Sequence, residues 1–270
     1  ATGAHSAQIL LDLPSVGATE NLMMASVFTR GVTVIRNCAK EPEISDLQNF
    51  LNAMGARVSG AGSSMITVEG VERLHGVTYT PIPDRIIAGT YMIATAMCGG
   101  NVTLDGVVPE HLSSLIAKMS KTACKVICKN DKISVRSKGR LKSLERIDTM
   151  YYPGFPTDLQ TQIMALQTIS RGTSVIAENI FETRFKTVPQ LIKMGADITV
   201  RDRTAVVRGV PGLHGAEVHA TDLRGGASLV LAGLAAEGRT EVKDIYHIDR
   251  GYEDMAPVLS GLGANITRVV

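Results

Sequence analysis

LNAMGARVS at residues 51–59 and LIKMGADIT at 191–199 are two copies of one pattern: an apolar helical face runs into a glycine, and the residues beyond it alternate as a strand does. The same register returns in MSKTACKVI (119–127) and LSGLGANIT (259–267), so Gly55, Ala123, Gly195 and Gly263 stand at intervals of 68, 72 and 68 residues. A second marker keeps the same time. FTRGVTVIRN, MCGGNVTLDG, ISRGTSVIAE and AEGRTEVKDI place Gly31, Gly100, Gly172 and Gly238 at intervals of 69, 72 and 66 residues. Two independent phases therefore give one period, longer than the helical solenoid repeats and much longer than a single βαβ unit, so each copy is a small subdomain.

Within a copy the order of elements is legible. A strand such as AQILLDL leads through a polar elbow to a helix, ATENLMMASVFT, and then to a β-branched strand, TVIRN. A second helix with apolar spacing, ISDLQNFLNAMG, is followed by two short strands, ARVSG and MITVEG. The pattern is βαβαββ, with glycine as helix stop and turn residue. Four copies fill the chain at about 1–70, 71–140, 141–210 and 211–270, and the predicted class is α/β.

The composition suits such a fold: 44% of the 270 residues are hydrophobic and 20% charged, enough for real cores. With a net charge of +2 and no long run of Lys or Arg, the chain lacks the footprint of a nucleic-acid binder, which leaves small anions as ligands. No apolar stretch is long enough to cross a bilayer and the first residues carry no basic signal-peptide region, so no membrane and a cytoplasmic location are the expectation. Cys38, Cys98, Cys124 and Cys128 form no close CxxC pair and read as buried packing thiols, with no metal or other cofactor implied.

The elbows before the first helix of each copy are equivalent positions: LPSVGAT, IPDRIIAGT, FPTDLQTQ and ATDLRGGAS. Each supplies Ser, Thr or Asp where a helix begins with unpaired N–H groups, and two add arginines, Arg85 and Arg224. Two readings stand side by side. The four helices are simply capped and face water, or their N-termini converge on one cleft suited to phosphates and carboxylates. In the third elbow Thr157 is predicted as N-cap, with Asp158 in the first turn of an amphipathic helix.

Several of these strings carry a resemblance. PSVGATEN (14–21), FPTDLQTQ (155–162), ATDLRGGASLVLAGLAAEG (220–238) and YHIDRGYE (246–253) closely resemble the enolpyruvyl transferases of the UDP-N-acetylglucosamine 1-carboxyvinyltransferase type, in order and along nearly the whole chain. The resemblance implies inside-out α/β barrel domains, each of three βαβαββ units, with helices toward the middle. It implies that residues 1–82 are the last unit of an N-terminal domain otherwise missing, and that residues 83–270 form the three-unit domain. The implied reaction moves the enolpyruvyl group of phosphoenolpyruvate to the 3-hydroxyl of UDP-N-acetylglucosamine, the first step of peptidoglycan synthesis, without a cofactor.

By the same resemblance Asp158 is the base that takes the hydroxyl proton, and Arg224 and Arg250 hold phosphoenolpyruvate. Asp158 and Asp222 are also expected to bind substrate, and Asp222, in the same elbow as Arg224, is placed to orient it. Leu13, Pro14, Ser15, Val16 and Gly17 match a segment that binds the UDP-sugar, and Ile180 and Phe181 line its uridine side. Leu13 stands where some family members carry a lysine, which removes or replaces one phosphate contact. The family's loop cysteine belongs to the absent N-terminal part, the expected partner of this chain. Two other readings remain open at this point: a non-catalytic fragment that binds a UDP-sugar or a protein, and an enolpyruvyl transferase for another acceptor.

Overall fold

The computed structural model describes residues 5–269. The first copy has the predicted order in full: β1 (Gln8–Leu10), α1 (Val16–Ser26), β2 (Val32–Arg36), α2 (Pro42–Ala53), β3 (Arg57–Ser59) and β4 (Met65–Glu69). The second opens directly on a helix: α3 (Arg85–Cys98), β5 (Gly100–Leu104), α4 (Ser113–Ser120), β6 (Lys125–Lys129) and β7 (Lys132–Ser137). The third is again complete: β8 (Arg146–Asp148), α5 (Gln160–Ile169), β9 (Thr173–Ala177), α6 (Val188–Lys193), β10 (Asp197–Arg201) and β11 (Thr204–Arg208). The fourth contains β12 (Leu213–His214), β13 (Glu217–His219), α7 (Leu223–Leu234), β14 (Ala236–Glu237), β15 (Glu241–Lys243), α8 (Tyr246–Asp249) and α9 (Met255–Gly261). Among the described residues it has no closing antiparallel pair.

Sheet topology repeats with the sequence. The first copy orders its strands β1-β2-β4-β3 and the third β8-β9-β11-β10, each with one parallel pair followed by two antiparallel ones. The second sheet, β5-β7-β6, is the same arrangement without its opening strand. The marker positions share a backbone state: Gly55, Ala123, Gly195 and Gly263 all have φ between 71° and 98°. Ala123 therefore bears a left-handed conformation that three sister positions give to glycine, at a cost of about 1–2 kcal/mol for an L-residue. Ala123→Gly is expected to stabilise the chain by a net ~0.5–1 kcal/mol, read as a higher melting temperature, because relief of strain exceeds the added unfolded-state entropy.

His75 and His214 are equivalent structural parts. Each backbone N–H reaches the last carbonyls of a helix, Met54 at 2.9 Å and Met194 at 3.0 Å, and each ring lies over the helix-ending glycine, Gly55 or Gly195.

The chain divides into two compact units, one running to Pro83 and including Tyr151–Pro153, the other comprising Asp84–Met150 and the chain from Gly154. In the first, α1 and α2 cover one sheet, and Met23, Ile35, Ile44, Ile66 and Val68 are fully buried between them. Leu10, Leu13 and Phe28 of the same unit are exposed.

In the second unit α3, α5 and α7 pack on one another and the sheets lie outside them, the inside-out arrangement expected. The structure departs from the sequence reading at α5, where every residue from Gln160 to Thr168 is buried, so the helix is enclosed rather than amphipathic. Several of its polar side chains meet internal partners, while Gln160 Oε1 and Gln167 Nε2 have none among the described residues. Gln167 accepts from the Leu144 N–H at 2.8 Å, Gln162 donates to Thr90 Oγ1 at 3.2 Å, and Thr168 donates to the Ala165 carbonyl at 2.7 Å. Two thiols also differ from expectation: Cys38 and Cys124 are buried, but Cys98 and Cys128, at a helix end and on an edge strand, are exposed.

Candidate active site

The elbow before α5 does not cap as the sequence suggests. Thr157 begins a short 3-10 turn, Thr157–Leu159, and its hydroxyl donates to Glu178 Oε2 at 3.0 Å instead of accepting from the helix. Asp158 follows with its carboxylate held between two arginines: Arg184 Nη2 lies 2.7 Å from Oδ1 and Arg224 Nη2 2.9 Å from Oδ2. The arginine side chains are 8% and 15% exposed and that of Asp158 38%, so the two cations are more sequestered than the anion they share. Burial pushes the Asp158 carboxyl up, but the Arg224 and Arg184 guanidiniums outweigh it and hold the group below the usual carboxylate range. Two guanidiniums converge on this one carboxylate, and a guanidinium fork suits an anionic ligand.

Each member of this cluster is fixed by local chemistry. Asp222 is the N-cap of α7; Oδ1 accepts from the backbone N–H groups of Arg224 and Gly225, both at 2.9 Å. Asp222 thus positions Arg224 through its backbone, not its guanidinium. The Arg224 side chain also lies beside the Tyr252 hydroxyl, which is 2.8 Å from Thr90 Oγ1 and so ties α3 to the turn after α8. The Arg224 carbonyl accepts from Thr161 Oγ1 at 2.9 Å, joining the starts of α5 and α7. Two of the four elbows therefore meet.

Glu178, at the end of β9 and 1% exposed, organises the rest. Its Oε1 accepts from Thr149 Oγ1 at 2.8 Å and from the N–H groups of Ile180 and Phe181 at 2.9 and 2.8 Å, while Oε2 takes the Thr157 hydroxyl. One buried carboxylate thereby connects the Asp158 turn to the loop bearing Ile180 and Phe181. Arg184 closes the ring, with its guanidinium 4.6 Å from the Phe181 ring centroid and its Nε 3.3 Å from Thr157 Oγ1.

Of the residues singled out in the sequence, Asp158, Arg224, Asp222, Ile180 and Phe181 belong to this connected cluster. Arg250 is exposed at the end of α8 and makes none of these contacts. Leu13, Pro14, Ser15, Val16 and Gly17 lie in the other unit. There Ser15 caps α1, its Oγ accepting from the Ala18 N–H at 3.3 Å, and Val16 and Gly17 open the helix. A Cβ at Gly17 would meet nothing within 4 Å, so the space above this helix start is open. Leu13 is 63% exposed.

Sequence reasoning missed Arg184, Glu178 and Tyr252. Arg184 and Glu178 stand in AENIFETR beside Ile180 and Phe181, and Tyr252 in HIDRGYE beside Arg250, but their partners are distant in sequence. A cleft of about 770 Å³ in the second unit is lined by residues of the fourth copy, among them Arg239, Lys243, Asp249 and Arg268, and by none of the expected site residues. Among the described residues no three His, Cys, Asp or Glu side chains gather as a metal site requires, and no helix is long and apolar enough to cross a membrane.

Comparison with known proteins is consistent across sequence and structure. The chain is 57% identical over 263 residues to UDP-N-acetylglucosamine 1-carboxyvinyltransferase 1 of Caldanaerobacter subterraneus, covering 97% of this chain and 63% of the relative. It is 52% identical over 269 residues to UDP-N-acetylglucosamine 1-carboxyvinyltransferase of Finegoldia magna, covering 99% and 63%. The chain thus spans somewhat under two thirds of the length of these relatives. Among solved structures it superposes on the enolpyruvyl transferase NikO from Streptomyces tendae with a TM-score of 0.90 at 28% identity, over 99% of this chain and 66% of that one. EPSP synthase from Acinetobacter baumannii, at 18% identity and a TM-score of 0.77, shares the fold. The family model that matches residues 2–259 is that of EPSP synthase (3-phosphoshikimate 1-carboxyvinyltransferase), and it is to this family that the chain belongs.

Proposed function

We propose that the chain is the C-terminal part of an enzyme that transfers the enolpyruvyl group of phosphoenolpyruvate to the 3-hydroxyl of UDP-N-acetylglucosamine, in peptidoglycan synthesis. The observation that carries the reading is the Asp158 carboxylate held between the Arg184 and Arg224 guanidiniums. Relatives more than half identical to the chain are named for carboxyvinyl transfer to UDP-N-acetylglucosamine, which supports the acceptor and the group transferred.

In this reading Asp158 takes the proton of the sugar hydroxyl as its oxygen adds to C2 of phosphoenolpyruvate and C3 gains a proton. Loss of a C3 proton with departure of phosphate then restores the double bond in the product. Arg224 and Arg250 hold the carboxylate and phosphate of phosphoenolpyruvate, and Ile180, Phe181 and the Leu13–Gly17 segment contact the UDP-sugar. The cluster adds a step to this scheme. Arg224 holds the Asp158 carboxylate through Nη2 and in this reading also meets the substrate anion, so anion binding weakens its hold on Asp158. Burial raises the Asp158 pKa while Arg224 and Arg184 lower it, so a weaker Arg224 contact makes the carboxylate a better base.

Residues 1–82 are then the last βαβαββ unit of a domain whose other units, with the cysteine-bearing loop, lie in the length that the relatives have and this chain does not. A coupled phosphate-release assay tests this. The chain alone, checked by mass spectrometry for longer contaminants, is expected to show no turnover with both substrates. Addition of the missing segment as a separate polypeptide is expected to restore release. Sustained release by the chain alone, or none after the segment is added and bound, would overturn the reading.

A further inference from the structure

The chain's net charge of +2 conceals a segregation. Residues 118–146 hold ten of its 28 Lys and Arg but two of its 26 Asp and Glu, so the remainder is net acidic. The fold gathers part of this charge on the outward face of the sheet β5-β7-β6. Arg136 of β7 stands between Asn101 and Lys125, Ser134 between Thr103 and Ile127, and Lys132 opposite Lys129. Lys125, Ile127, Lys129, Lys132 and Arg136 are all exposed. Lys132 pairs with Asp105 at 2.7 Å. Among the described residues no carboxylate pairs with Lys125, Lys129 or Arg136.

The internal repeat supplies the control. The position of the Lys125–Arg136 pair, two residues beyond the marker glycine or alanine, is occupied in the first copy by Arg57–Glu69 and in the third by Asp197–Arg208. Both are cross-strand ion pairs. The second copy alone sets cation against cation there, and does so again at Lys129–Lys132, although directly opposed like charges destabilise a sheet. A face that forgoes an available ion pair is complementary to an anion from outside.

β6 is also the edge of its sheet, and no N–H or C=O of Lys125–Lys129 bonds to backbone beyond β7 among the described residues. We propose that β6 docks an acidic extended polypeptide segment, which adds as a further strand with carboxylates beside Lys125 and Lys129 and an apolar side chain beside Ile127. The open backbone ladder decides the class of partner. An incoming strand satisfies its donors and acceptors in register, which neither a nucleic acid nor a lipid headgroup can do. The face has no aromatic side chain on which a base would stack. Lysines on an edge strand repel a second copy of the same strand, and by the same charge they select an acidic one.

The test uses this 270-residue chain and a synthetic peptide of repeating Glu-Thr-Val-Thr, whose Glu and Val alternate along one face of a strand, followed by calorimetric titration and by hydrogen exchange of the β6 amides. Saturable binding is expected, weakened at least about tenfold between ~50 mM and ~500 mM salt, with new protection confined to β6 and its neighbours. Lys125→Asp recreates the charge arrangement of Asp197–Arg208. It is expected to raise the melting temperature by about 1–3 °C and lower peptide affinity about tenfold, a combination that misfolding cannot produce. Equal binding of the same peptide with Lys in place of Glu, unchanged affinity in Lys125→Asp, or absence of β6 protection would overturn the proposal. So would binding of oligodeoxythymidylate or phosphatidylglycerol vesicles in preference to the peptide.

Discussion

Asp158→Asn, placed in a polypeptide extended to the full length of the relatives, is expected to lower kcat by about a hundredfold to ten-thousandfold with little change in KM. The substitution keeps the shape and the hydrogen-bond acceptor on one side but cannot take a proton. A second readout, on the chain alone, separates this from simple damage. The Asp158 carboxyl lies below the usual carboxylate range in the folded state, so it binds its proton more weakly there than in the unfolded chain. Its contribution to stability is therefore present above the unfolded value of about 3.9 and is lost as pH falls through the lowered folded value. In Asp158→Asn the two arginines face a neutral amide, and stability at neutral pH is expected to fall. The gap from the parent should close as the medium is made more acidic than about pH 4. Parental kcat in the variant would remove Asp158 from the chemistry and leave it as an anchor for Arg184 and Arg224.

Arg224→Lys in the same extended polypeptide is expected to reduce kcat/KM about a hundredfold, or about 2.7 kcal/mol of transition-state stabilisation. The physical reason is the dual use of one guanidinium. Arg224 meets Asp158 through Nη2 and lies beside the Tyr252 hydroxyl, and its planar fork can still present two N–H groups to a carboxylate or phosphate. An ammonium is a point charge on a flexible stem and cannot span these positions. The loss should appear in KM for phosphoenolpyruvate as well as in kcat, whereas KM for the UDP-sugar should change little. Parental kinetics with phosphoenolpyruvate would take Arg224 out of the donor site. They would also end the proposal that substrate binding frees Asp158.

The sequence by itself determined the repeat and its register, because these rest on signals no longer than a helical turn or a pair of strand residues. The glycine that stops each helix marks a left-handed backbone position, and the register holds even in the second copy, where Ala123 replaces the glycine and bears the strain. The elbow strings likewise pointed to Asp158, Asp222 and Arg224 before any contact was known. Pairing could not be read this way. Asp158 and Arg184 are 26 residues apart and Asp158 and Arg224 are 66 apart, and only the packing of α5 against α7 and against the turn that begins at Arg184 brings their side chains together. Packing also buried the polar face of α5, which a period of 3.6 residues assigns to water, because α3 and α7 flank the helix and supply its hydrogen-bond partners. Strand pairing, for its part, set Lys125 opposite Arg136 and turned a scatter of cations into a single charged edge. Local periodicity fixes which element forms and where it stops; which charges and polar groups must satisfy one another is decided by elements distant in sequence, when burial removes the water that would otherwise have done so.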